Sequence, residues 1–118
     1  MVAIGQLIPP DVLGTIRYMK YVRSVTPFYI DARGTMAHLL DGNIKVRSAL
    51  LITCQKGSVR ANHYHKKDTH VSYMISGTME YSYQDIGKKN AKKRTVLVKA
   101  GQLVVSPPMV AHAMHFIE

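Results

Sequence analysis

From residue 27 onward the apolar positions recur mainly at every second residue, and hardly anywhere with a helical period. That spacing belongs to strands, whose side chains alternate between two faces. Residues 27–30 lead into Asp31-Ala32-Arg33-Gly34, residues 35–40 follow, and Asp41-Gly42-Asn43 is a turn signal. Across residues 44–53, Ile44, Val46, Ser48, Leu50 and Ile52 fall on one face, with Lys45, Arg47, Ala49, Leu51 and Thr53 on the other. Lys56-Gly57-Ser58 turns the chain again. Further on, Val71, Tyr73 and Ile75 share a face opposite His70, Ser72 and Met74. After the Ser76-Gly77-Thr78 turn, Met79, Tyr81 and Tyr83 alternate with Glu80, Ser82 and Gln84. Residues 95–99 and 103–106 are short strands separated by Ala100-Gly101. Short strands with turns at near-regular spacing predict an all-β sandwich or small barrel.

Residues 1–26 fit this pattern least. Asp11, after Pro9-Pro10, can cap a short helix reaching Tyr18-Met19, although Val12, Leu13, Ile16, Met19 and Val22 match a helical stripe only loosely. An arm packing on, or swapped with, a neighbouring copy fits equally well. The expected organisation is an N-terminal arm over 1–26 and one β domain over 27–118.

Composition narrows the class. A chain of 118 residues with 47% hydrophobic and 19% charged positions can bury one core. A net charge of +9 leaves nucleic acids, phosphate-bearing ligands and anionic surfaces open as partners. The basic tract at 87–94 falls between two expected strands and carries no interleaved aromatics, so it reads as a solvated hairpin tip rather than a nucleic-acid platform. Cys54 is the single cysteine, which excludes an internal disulfide framework; on its apolar strand it is expected to be a buried, inert thiol. The N-terminus lacks the basic start of a secretory signal, and no apolar run approaches the ~20 residues that span a bilayer. A cytoplasmic domain with no nucleic-acid or membrane partner is the expectation.

The histidines are not scattered. His63 and His65, two apart in an extended segment, point the same way; His70 and His112 sit at or on later strands. Several neutral imidazoles converging at about 2.0–2.2 Å are what a divalent transition ion needs. Manganese, iron, nickel, copper and zinc all suit such donors. The alternative is a hydrogen-bonded pair in a polar interior. His115, three residues beyond His112, faces the other way, and His38 stands alone in an apolar stretch. Tyr73, Tyr81 and Tyr83 read as packing residues, any of them also able to serve as an acid; Tyr73 is taken as a ligand-binding candidate. Met74, Met79, Met109 and Met114 read as pliable core filler.

The spacing resembles a known family. Gly57, five residues, His63-Tyr64-His65, four residues, His70, six residues and Gly77 is similar to the first cupin motif; Gly101, five residues, Pro107-Pro108-Met109, two residues and His112 is similar to the second. The resemblance covers residues 28–118 and implies the double-stranded β-helix, a jelly-roll barrel with its site in the mouth. It implies a metal set of His63, His65, His70 and His112. His70 stands where the first motif usually has Glu, Met109 where the second has Gly, and Phe116 where it ends in Asn. Asp68 shares the strand parity of His70 and is an alternative carboxylate ligand. The chain ends directly after the last motif strand, where a cupin normally continues; supply of that strand by the arm or by a second subunit favours a homodimer.

A narrower resemblance links Asp31-Ala32-Arg33-Gly34-Thr35-Met36 and Val59-Arg60-Ala61-Asn62-His63-Tyr64-His65-Lys66 to metal-free cupins acting on nucleotide-linked sugars, the dTDP-4-keto-6-deoxyhexose 3,4-ketoisomerases and 3,5-epimerases. It implies His63 as the catalytic base, His65 completing proton transfer, and Arg33, Arg60 and Lys66 holding a pyrophosphate. Ala61 replaces that group's core glycine. Three functions are therefore expected as alternatives: a divalent-metal cupin (a metal-dependent oxidoreductase or lyase, or a binder of a small polar ligand), a metal-free sugar isomerase or epimerase, and a non-catalytic module binding a small molecule such as a sugar.

Overall fold

A computed structural model describes the backbone of residues 2–7 and the whole of residues 21–43 and 45–118. The strands are β1 (Val2–Leu7), β2 (Val22–Ser24), β3 (Tyr29–Asp31), β4 (Gly34–Met36), β5 (Lys45–Leu51), β6 (Val59–His63), β7 (Thr69–Tyr73), β8 (Thr78–Asp85), β9 (Arg94–Lys99), β10 (Gln102–Ser106) and β11 (Val110–Phe116). They form a five-stranded antiparallel sheet in the order β2-β10-β7-β1-β5, a four-stranded antiparallel sheet β6-β11-β8-β9, and the small β3-β4 hairpin. Among the described residues there is no helix, and so none long and apolar enough to cross a membrane. The all-β expectation holds.

The alternation read from the sequence is what builds the core. On β8 the buried members are Met79, Tyr81 and Tyr83, and on β11 they are Val110, His112, Met114 and Phe116. With Val98 these residues meet Met74 and Val104 from the other sheet. The odd-numbered neighbours Val71, Leu103 and Val105 form a second cluster, covered by Val25 and Leu40. Adjacent residues of β7 and β10 thus serve two different cores, as period two requires. One buried hydrogen bond of 2.8 Å ties the sheets together, between the Tyr81 hydroxyl on β8 and Ser106 Oγ on β10. The turn between β9 and β10 holds Gly101 at φ +86°, and its N–H donates to the Met74 carbonyl at 2.8 Å. Only glycine enters that conformation without steric cost.

Two segments differ from the alternation pattern. Val2–Leu7 pairs with β5 on one side and β7 on the other, and Val22–Ser24 extends the sheet beyond β10. The helix considered for residues 11–19 lies outside the described residues. Residues 35–40 form a strand only as far as Met36, so His38 lies beyond it, stacked on Phe28 at 4.3 Å and exposed. The basic tract does join β8 to β9 as a hairpin loop.

Candidate metal centre

Position 63 faces the interior because of one extra residue. In the β6–β11 ladder, Arg60 pairs with Met114 and Ala61 with Ala113, but His63 pairs with His112, so Asn62 has no partner across the ladder. Such a bulge shifts every following side chain to the opposite face. Residues directly opposite on antiparallel strands share a face, so His63 joins His112 on the inward side. The backbone adapts by placing Ala61 at φ +65° and Asn62 at φ +61°, both left-handed. Tyr64 is exposed, and His65, one residue further, turns back in. From the other sheet comes His70 on β7, register partner of Ser106.

The four rings meet. Centroid separations are 4.7 Å for His63–His65, 5.0 Å for His63–His112, 5.6 Å for His65–His112 and 4.1 Å for His65–His70. One nitrogen from each of His63, His65 and His112 lies within 4.8 Å of the other two. Nitrogen donors bound to one ion at about 2.1 Å sit about 3.4 Å apart, so a small closing movement would bring the three onto one ion. His65 Nε2 is buried with no hydrogen-bond partner, an arrangement that costs free energy unless something else takes the lone pair or proton. That orphaned nitrogen is the observation that fits an ion. His112 Nδ1 lies 3.4 Å from the Val110 carbonyl; a proton held there leaves Nε2 with the free lone pair.

Burial also prepares the donors. Desolvation pushes His112 down to about 4, and neighbouring imidazoles add to the effect. His65 and His70 are lowered for the same main reason, Asp68 partly opposing it in both. All three are neutral at pH 7, the form that binds metal. His63 is the exposed member, which leaves the cluster open to a ligand on that side.

His70 stands apart from the other three. Its ring stacks on His65 with an interplanar angle of 14°, so the two sets of lone pairs run side by side rather than converging. Its own ligand group is His65, Asp68 and His70, again within 4.8 Å. Asp68 is shared with Arg47, whose Nη1 donates to Oδ1 at 3.4 Å. The four-histidine set expected from spacing is thus two overlapping trios with His65 in common.

The expected ligand-binding residues are not assembled around this cluster. Arg33 sits in the β3–β4 turn with its guanidinium on Asp31 at 2.6 Å. Arg60 donates from Nε to Cys54 Sγ at 3.3 Å, so Cys54 is half-buried and accepts a hydrogen bond. Lys66 is exposed in the loop before β7. Tyr73 shares the face of Val71, opposite His70. Of the three cations implied by the sugar-nucleotide resemblance, Arg33 and Arg60 are thus engaged by Asp31 and Cys54. His115 faces outward, 3.5 Å from Glu80. Sequence reasoning gave Tyr81 and Ser106 no specific role; Tyr81 stacks on His112 at 6.1 Å and supports it from below. The alternation of buried tyrosines was the available signal.

Comparison with known families matches residues 41–116, well over half of the chain, to the family described as Cupin. Neither the curated proteins nor the solved structures compared with the chain gave a match.

Proposed function

Since the chain belongs to the cupin family, we propose that it binds one divalent transition ion in the barrel mouth and acts on, or binds, a small polar ligand there. His63, His65 and His112 are the primary donors, and His70 joins after its ring turns away from His65. The observation that carries this reading is the orphaned His65 Nε2 within a trio of nitrogens closer than 4.8 Å. When bound, the ion supplies Lewis acidity with its full charge, because neutral imidazoles cancel none of it. The protein's residues do the rest. The bulge at Asn62 aims His63, burial keeps His65 and His112 deprotonated, and the exposed side at His63 admits a ligand bearing an oxyanion or enolisable carbonyl. Among the described residues Arg33 and Arg60 are engaged elsewhere, by Asp31 and Cys54, which favours the metal reading over the sugar-nucleotide one.

We place the functional unit as a homodimer. Strand β5 is the open edge of its sheet, with Leu50 56% and Leu51 72% exposed, and exposed apolar edges seek partners.

Elemental analysis of untagged protein tests the metal reading. The expected result is about one transition ion per chain, lost in His112→Ala and held more weakly in His70→Ala. A wild-type protein that stays ion-free after reconstitution with each of the five metals refutes it. Complete loss in His70→Ala alone replaces the primary trio with the one built on Asp68.

A further inference from the structure

The basic tract between β8 and β9 supplies none of the histidine donors, and part of it lines a separate cavity. Lys88 and Lys92 from the loop and Arg94 from the start of β9 line one cavity of about 380 Å³, together with Tyr21, Tyr83 and Asp85. Among the described residues none of the three cations has a carboxylate within ion-pair distance. The single carboxylate in the wall, Asp85, accepts the Gly87 N–H at 2.9 Å and serves the turn. Three positive charges therefore face one space with no protein anion paired to them.

The wall contains a second, independent signal. Tyr83 is only 7% exposed, and its hydroxyl is buried with no hydrogen-bond partner. Buried phenols almost always have one, as the neighbouring Tyr81 does in Ser106. The Tyr83 ring is fixed between Tyr81, at 5.9 Å, and Tyr21, which meets it edge-on at 5.4 Å. A donor without an acceptor beside three unpaired cations describes a site for an anion that can also accept hydrogen bonds.

We propose that this cavity binds the oxyanion group of a small organic molecule, a phosphate or a carboxylate, through Lys88, Lys92 and Arg94, with Tyr83 donating the fourth contact. The volume lies in the range of small-molecule sites (about 300–1,000 Å³) and exceeds what a bare ion fills. The site adjoins the metal centre, since Tyr83 is the cross-strand partner of His112, but its three cations are not ligands of the histidine cluster.

The test is a titration of metal-free, full-length protein followed by amide NMR at constant ionic strength. The probes are inorganic phosphate and acetate, with chloride as the control. Saturable shifts confined to residues 83–94 with one probe and not with chloride support the site and identify the oxyanion class. Tyr83→Phe should weaken binding about tenfold while leaving the melting temperature unchanged, and Lys88→Ala with Lys92→Ala should abolish saturation. Equal response to chloride, or unaltered affinity in Tyr83→Phe, overturns the proposal. So does a single-stranded oligonucleotide that binds the tract more tightly than either probe with a strong salt dependence, since that assigns it to nucleic acid. Because the protein is metal-free throughout, failure here is separate from failure of the metal centre.

Discussion

Among the five described non-glycine residues with positive φ, two stand where a resembled pattern has glycine. Ala61 replaces the glycine of one resembled pattern and Met109 the glycine of another, and both have positive φ, +65° and +61°. The left-handed region costs a residue with a Cβ roughly 1 kcal/mol, so these are places where glycine has a physical reason to occur. Met109 is 40% exposed and little of its side chain would be missed. Met109→Gly is expected to change stability by less than about 0.5 kcal/mol, strain relief offsetting the added unfolded-chain entropy and lost contacts, and Met109→Val to destabilise the fold, in urea denaturation. A different residue sets the acid response. His112 titrates at about 4 when folded against its usual 6.5. The unfolded chain therefore takes up that proton first as pH falls. The contribution of neutral His112 is fully present above about pH 6.5, is lost progressively down to about 4, and changes no further below. Metal-free protein should show its urea midpoint falling across that window, and His112→Asn should flatten the fall. An unchanged slope in the variant would assign it to other groups.

At the level of elements, the β6 bulge decides whether a site exists. A regular ladder that kept Asn62 would set it opposite His112 and turn His63 to the outer face, whereas deleting Asn62 removes the bulge and leaves His63 opposite His112 on the inward face. The deletion is expected to keep both metal uptake and β-sheet circular dichroism; loss of uptake would show that the left-handed backbone at Ala61 and Asn62 is itself needed to aim the His63 ring. The same bulge explains what the sequence could and could not convey. Period two placed His63 with His65, and the spacing to His70 and His112 pointed to the right four rings. Counting alternation forward from Arg60, however, puts His63 on the wrong face, because a ladder irregularity depends on the partner strand. The strand at Val2–Leu7 was missed for a related reason. Its apolar residues do not alternate cleanly, and its place is set by pairing with residues some 40 to 70 positions later. Tyr73 was on the correct side of its own strand, but the pattern could not say which side held the histidines. Arg33 and Arg60 matched short sequence patterns whose spatial convergence only a fold can supply, and this fold sends one to a hairpin tip and the other to Cys54.

For the whole molecule, the two sheets close around one core, yet the five-stranded sheet ends at β5, every residue of which is exposed. Light scattering is expected to give twice the chain mass, and Leu50→Lys with Leu51→Lys to give the monomer with its metal content intact. A wild-type monomer would remove the dimer. The β3–β4 hairpin raises the same question in another form. Among the described residues its strands pair only with each other, and Phe28, Tyr29, Ile30 and Met36 are all exposed on it. Two strands alone are marginal in water, so this ribbon opens far more often than the barrel does. Its amides therefore keep time for the assembly. In deuterium they should exchange orders of magnitude faster than those of β8 and β11 at high dilution. A slowing as concentration rises would place the ribbon under a second copy, whereas a rate independent of concentration would leave it facing water and make it the first point at which a protease cuts.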